Sequence, residues 1–249
     1  FKLNLKQSPP RNWQQHSGGL LNKYLNSNAA ANCATVTRKI RGTTMQDILH
    51  YGLEAIDISK ENLSLFSNTQ FNVDPSIVKL TKNELSILEN DLCDLTNNLE
   101  IRSIKQIFQS NDLQQASITP NDLIGFIHSG SHEFPGILMR RFLQPTGDQA
   151  HFEKAVPVAK IQQGLFGIPL LTDLGQEYHA WLNAAMNYAL VSRYGIFLAV
   201  QEFYQKHFSA TVELINDRIH AGIFTLNSNK NKIIRCLRGV QEIIPQTNN

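Results

Sequence analysis

The stretch DLGQEYHAWLNAAMNYALVSRYGIFLAVQEFYQKHF, Asp173–Phe208, decides the fold. Apolar residues recur every three or four positions through Tyr178, Trp181, Leu182, Ala185, Tyr188 and Ala189, then through Ile196, Phe197, Val200, Phe203 and Tyr204. That period belongs to a helix, not a strand. Asp173 is the expected N-cap. One straight helix of this length would span about 54 Å at about 1.5 Å per residue, more than an ordinary domain diameter. A break near Ser192–Gly195 is therefore expected. The aromatic and Met positions read as core.

Upstream, Thr44–Ile56 carries helical spacing in Met45, Ile48, Leu49, Leu53 and Ile56. Residues 57–80 read as loops with a short strand or turn, given Asp74-Pro75 and scattered apolar residues. Thr81 followed three positions later by Glu84 has the form of a capping box. It opens a helix whose stripe is Leu85, Leu88, Leu92 and Leu95 and whose expected end is Asn97-Asn98. Leu123–His128 reads as a strand entered from Pro120-Asn121-Asp122 and leaving into a glycine-containing turn. Residues 1–40, with Pro9-Pro10 and Gly18-Gly19, read as extended or loop-like, and Gln246–Asn249 as a frayed tail. Helices outnumber strands, and the two do not alternate in a βαβ series. The expected class is α+β: a small sheet carrying His128, with residues 173–208 packed on it as a helical layer.

With 249 residues, 42% of them hydrophobic, the chain can bury a substantial core. The formal net charge of +2 excludes a strong basic field, so any nucleic-acid partner must be held in a local groove. Cys33, Cys93 and Cys236 lie far apart and form no Cys-x-x-Cys pair, which argues against a disulfide framework or a zinc ribbon and for a reducing compartment. No apolar run reaches the roughly 18–20 residues of a membrane span. The opening Phe-Lys-Leu-Asn-Leu has no signal-peptide h-region.

Phe126-Ile127-His128-Ser129-Gly130-Ser131 is the stretch best suited to chemistry. A histidine ending a buried strand has its backbone fixed by the sheet, so its ring can serve as a metal ligand; it can equally be a hydrogen-bonded structural residue. The Ser-Gly-Ser turn after it offers N–H groups and hydroxyls to a phosphate. Further candidates are Gln109-Ser110-Asn111-Asp112-Leu113-Gln114-Gln115 upstream and Ile215-Asn216-Asp217-Arg218-Ile219-His220-Ala221-Gly222 downstream of the long helix.

In that order these segments resemble the RtcB-type RNA ligase family. Its members carry Gly-Asn-His-Phe-x-Glu, a strand ending in His-Ser-Gly-Ser-Arg-Gly, a helical Tyr-Ala…Asn-Arg stretch and a His-Asn pair. The counterparts here are Ser110–Gln115, Phe126–Ser131, Tyr188–Arg193 and His220-Ala221, across about residues 107–224. The resemblance implies a single RtcB-like domain over residues 1–249 and a cytoplasmic protein. It also implies an RNA ligase that joins 3′-phosphate or 2′,3′-cyclic phosphate ends, such as those of tRNA halves, to 5′-hydroxyl ends. Manganese (two ions in the family, one or none here) and GTP are the implied cofactors. By the same resemblance His128, His220, Asp112 and Cys33 correspond to metal ligands, and Asn111, Ser129 and Ser131 to cofactor-binding positions.

The chain also departs from the family pattern. Asp112 stands for a histidine, Gln115 for the glutamate, His132 for the arginine and Ser192 for the asparagine. His132, four positions after His128, could share a metal with it if the turn runs into a helix. Cys33 lacks an aspartate three residues before it and could equally be an inert buried thiol. No counterpart of the family's Ser-His-Gly-Ala-Gly-Arg segment, which holds the guanylylated histidine, follows His220, and covalent catalysis needs that nucleophile. Three readings therefore stand: a degenerate ligase; a catalytically inactive relative that binds metal, guanylate or RNA; and an unrelated helical protein in which His-Ser-Gly-Ser is an ordinary turn.

Overall fold

The computed structural model describes residues 1–4, 43–92, 99–103, 123–143, 170–219, 221–228 and 231–238. In chain order the elements are β1 (Lys2–Asn4), α1 (Met45–Tyr51), α2 (Lys60–Leu63), α3 (Lys82–Asp91), β2 (Leu99–Ser103), β3 (Leu123–Ile127), α4 (Phe134–Leu138), α5 (Asp173–Phe208), β4 (Thr211–Glu213), β5 (Ala221–Ser228) and β6 (Asn231–Arg238). The architecture is α+β, as the sequence pattern predicts.

The long helix α5 organises the rest. Its N-cap is Thr172, one residue before the expected Asp173; the Thr172 hydroxyl accepts from the N–H of Gly175 at 3.1 Å. Asp173 instead sits in the first turn, where its charge complements the helix dipole. The expected break near Ser192–Gly195 is absent, and the helix runs on for 36 residues. The length argument fails because only the middle of the helix is enclosed. Trp181, Ala184, Tyr188, Leu190, Ile196, Val200 and Tyr204 are all fully or nearly fully buried, whereas Asp173 and Gln176 at one end and Gln205, Lys206 and His207 at the other are exposed. A helix apolar on nearly all sides must be covered on all sides. Here α1, α3, α4 and the sheet supply that cover, through one core cluster holding Leu49, Leu53, Leu88, Phe134, Phe1 and Val212 with the helix residues.

Two asparagines interrupt the apolar surface of α5 and tie it to the preceding segments. Fully buried Asn187 accepts the N–H of Phe71 at 2.7 Å and donates to the carbonyls of Phe71 (2.8 Å) and Leu49 (2.9 Å). Asn183 donates to the Asn72 carbonyl at 2.7 Å. Buried polar groups are tolerated when satisfied in this way.

The helix predicted over Thr44–Ile56 is α-helical only to Tyr51 and then tightens into a 3-10 turn, Gly52–Ala55. Gly52 makes the change with φ 55, and a Cβ there would lie 2.8 Å from the Thr69 carbonyl. The capping box of α3 is present, with Glu84 accepting from Thr81 N–H at 2.8 Å. That helix ends at Asp91, short of Asn97-Asn98, because Leu92 (buried) leaves helical geometry with ψ 120. Leu95 and Asn97-Asn98 lie outside the described residues.

Among the described residues the sheet has four strands in the order β2-β3-β1-β4, every pairing antiparallel. Its β1 comes from the segment read as extended or loop-like. The ring of Phe1 occupies the space above Gly125 where a side chain would be, so a Cβ there would meet ring carbons at 1.9–2.4 Å. Along β3, Ile127 packs against the core cluster, while its strand neighbour Phe126 is exposed on the opposite face, the alternation of a half-covered sheet. Strands β5 and β6 form a separate two-stranded hairpin not anticipated from the sequence.

Candidate functional site

At Ile127 the chain leaves β3, turns through His128–His132 and enters α4. The turn is closed by the Phe134 N–H donating to the Ser131 carbonyl at 2.9 Å. Pro135, in the first turn of α4, starts the helix without wasting a donor. The Phe134 ring is fully buried, edge-on to Trp181 (centroids 6.2 Å apart) and tilted against Tyr188. This aromatic anchor pins the turn to the middle of α5.

His132 adopts a left-handed backbone, φ 47, which carries a steric penalty for a residue with a side chain. Its ring lies edge-on to Tyr188, and its Nε2 lies 2.9 Å from Ser129 Oγ and 3.3 Å from Ser192 Oγ. From sequence, His132 reads as able to share a metal with His128. The turn does run into a helix, but the His132 Nε2 is taken up by two hydroxyls, one of them on α5.

The next residue of α5, Arg193, reaches the same turn. Its guanidinium holds Asp217 bidentately, Nε to Oδ2 at 2.6 Å and Nη2 to Oδ1 at 2.8 Å, and donates from Nη1 to the Ser129 carbonyl at 3.3 Å. Both side chains of the pair are mostly shielded, with 13% and 10% of their surface exposed. Charge-assisted, bidentate and shielded pairs are the strong class of ion pair. Asp217 is held from a further side, since its N–H donates to the Leu65 carbonyl at 2.9 Å.

A cleft of about 430 Å³ opens against this turn. At one end it is bordered by His128, Ser129, Gly130, Ser131 and Arg193; the wall along α5 is apolar, carrying Tyr178, Leu182 and Met186. Burial pushes the Tyr178 phenol above its ordinary value. Such a combination, a few convergent polar groups against an apolar wall in a volume within the usual range of ligand pockets, suits a small polar ligand or a chain end better than an extended surface.

Of the residues proposed from sequence, His128 is exposed at the cleft, Ser129 is buried behind it and Ser131 is half-buried on its border. Cys33, Asn111, Asp112 and His220 lie outside the described residues. Ile219 and Gly222, on either side of position 220, line the same cleft as His128. Among the described residues no three His, Cys, Asp or Glu side chains converge, so these residues do not by themselves make a manganese site. No helix among them is long and apolar enough to cross a membrane.

The Arg193–Asp217 pair was missed from sequence, although both residues stand in the quoted segments. A charge inside an otherwise apolar helix face was the available signal, because such a charge requires a partner.

The geometry defines an α+β protein with a cleft built on the turn that ends a sheet strand. A model of the RtcB family, described as tRNA-splicing ligase RtcB, matches residues 97–231, more than half of the 249-residue chain. The chain belongs to the RtcB family. The matched span contains Asn111, Asp112, His128, Ser129, Ser131 and His220 and leaves out Cys33. Comparison with curated proteins finds no match.

Proposed function

We propose that this protein acts on RNA ends as an RtcB-type ligase, joining a 3′-phosphate or 2′,3′-cyclic phosphate end to a 5′-hydroxyl end with manganese and GTP, in the cytoplasm. The observation that carries this reading is that the cleft opens at His128–Ser131, inside the segment matched by the family. On this reading the Ser129-Gly130-Ser131 turn receives the terminal phosphate through its N–H groups and the Ser131 hydroxyl, and the apolar wall on α5 keeps water from the bound end. A bound divalent ion would neutralise clustered phosphate charge and orient the attacking hydroxyl. His128, His220, Asp112 and Cys33 are the proposed metal ligands, and Asn111, Ser129 and Ser131 the proposed guanylate contacts. tRNA halves are the proposed substrate.

A second reading, a catalytically inactive relative that still binds RNA or nucleotide, is favoured by one observation. His132 occupies the place of the family's arginine and turns its ring toward Ser129 and Ser192. Incubation with labelled GTP and manganese, followed by denaturing electrophoresis, separates the two. A covalent guanylate adduct together with ligation of 3′-phosphate and 5′-hydroxyl RNA supports the first reading. Binding of RNA or GTP without an adduct supports the second. Absence of adduct, ligation and binding would discard both.

A further inference from the structure

We infer that Arg193 is a positioning residue: through its clamp on Asp217 and on the Ser129 carbonyl it sets where the His128 side of the cleft stands relative to the segment that runs on to His220. Three distant parts of the chain meet at this one guanidinium. The turn after β3 offers the Ser129 carbonyl at 3.3 Å, the segment after β4 offers both carboxylate oxygens of Asp217 at 2.6 and 2.8 Å, and α5 supplies the arginine. His128 immediately precedes Ser129, and Ile219, two residues beyond Asp217, borders the cleft that His128 borders.

The geometry calls for arginine specifically. The bidentate grip on the carboxylate uses two N–H groups on one edge of the planar guanidinium, Nε and Nη2, and the third contact, to a carbonyl on another segment, uses Nη1. A lysine ammonium is a single point on a flexible stem and cannot hold both groups in fixed directions. The surroundings limit the alternatives further. Asp217 is fixed by its backbone pairing with Leu65, and the Ser129 hydroxyl is committed to His132. The guanidinium is thus the link by which a shift of one cleft wall is passed to the other. For the identity of the ligand the inference rests on the RNA-end reading above; the clamp itself does not.

The test compares wild type, Arg193→Lys and Asp217→Asn, with Thr81→Ala as a control that weakens only the cap of α3. Each protein is measured for thermal stability, for the imidazole Cε1–H resonance of His128 (assigned with His128→Gln), and for its dissociation constant for uridine 3′-monophosphate. In both clamp variants the His128 resonance is expected to move and the uridine 3′-monophosphate constant to rise at least tenfold, while Thr81→Ala lowers stability and changes neither. Clamp variants that lose stability yet keep the wild-type resonance and affinity would overturn the inference and leave Arg193–Asp217 as a purely structural pair. If wild type does not bind uridine 3′-monophosphate, the RNA-end reading of this cleft fails, and the His128 resonance alone decides the clamp. If Arg193→Lys does not fold, Asp217→Asn, which keeps the arginine, decides the same question.

Discussion

Replacing Asn187 by alanine should be among the most damaging single changes available in this fold, and the size of the effect can be worked out contact by contact. The side chain is fully buried and satisfies the N–H and C=O of Phe71 and the C=O of Leu49, at 2.7–2.9 Å. The Leu49 carbonyl has no helical donor to fall back on, because the N–H of Leu53, which would close the next turn, donates to the Thr69 carbonyl instead. Alanine would strand all three backbone groups, at about 1–3 kcal/mol each, with some relief from a water entering the vacated space. The expected net loss is about 4 kcal/mol, equivalent to a fall of roughly 8–16 °C in Tm for a chain of this size. Asn187→Asp should do no better, since it would set an oxygen against the carbonyls of Leu49 and Phe71. Asn183→Ala, which breaks one bond to Asn72, should cost only about 1 kcal/mol. Urea and thermal unfolding of the three variants provide the measurement. An Asn187→Ala loss no greater than that of Asn183→Ala would refute the claim that this side chain holds α1 and the Phe71 segment to α5.

Gly125→Ala should cost about 1–3 kcal/mol by driving a methyl into the ring of Phe1, and Phe1→Ala in the same chain should recover part of that loss. The Thr44 hydroxyl and N–H hold the Asp47 carboxyl below its ordinary value of 3.8, so this cap's contribution is present above that value and lost as the pH falls through the lower folded value. Thr44→Ala should therefore flatten the acid limb of the stability–pH curve, and an unchanged limb would show that the cap plays no part in it. Burial raises the phenols of Tyr178 and Tyr194 above 10.0, so their contribution is intact below that value and is lost as the pH rises through the raised folded values. Absorbance titration near 295 nm should show the Tyr178 phenol ionising late, and Tyr178→Phe should remove one late-ionising component.

Much of the scaffold was legible because its signals are local. The Thr81–Glu84 box, the 3.6-residue stripe of α5 and the strand running into His128 each depend on neighbours in sequence, and each is present where expected. The unbroken course of α5 was not legible, because it depends on α1, α3, α4 and the sheet closing around its middle, a tertiary effect invisible to periodicity. β1 was hidden for a related reason: three residues carry no pattern, and the strand exists because β3 and β4 pair with it on both sides. At the cleft, the His128 turn could be found from its residue types. The ring direction of His132 could not, since it depends on Ser192 lying sixty positions away in the chain but one hydroxyl's reach in space.

The placing of β1 inside the sheet also governs how the sheet can be assembled. Lys2 lies opposite Ile124 on one side and Glu213 on the other, so among the described residues β4 joins the other strands through β1. Both edges of β1 are filled by strands far downstream of it, around Leu123–Ile124 and Thr211–Glu213. Deleting it would cut the sheet into a β2–β3 pair and a stranded β4. Pairings this distant in sequence slow folding. The floor beneath the His128 turn is thus closed by a three-residue strand that no local contact holds in place.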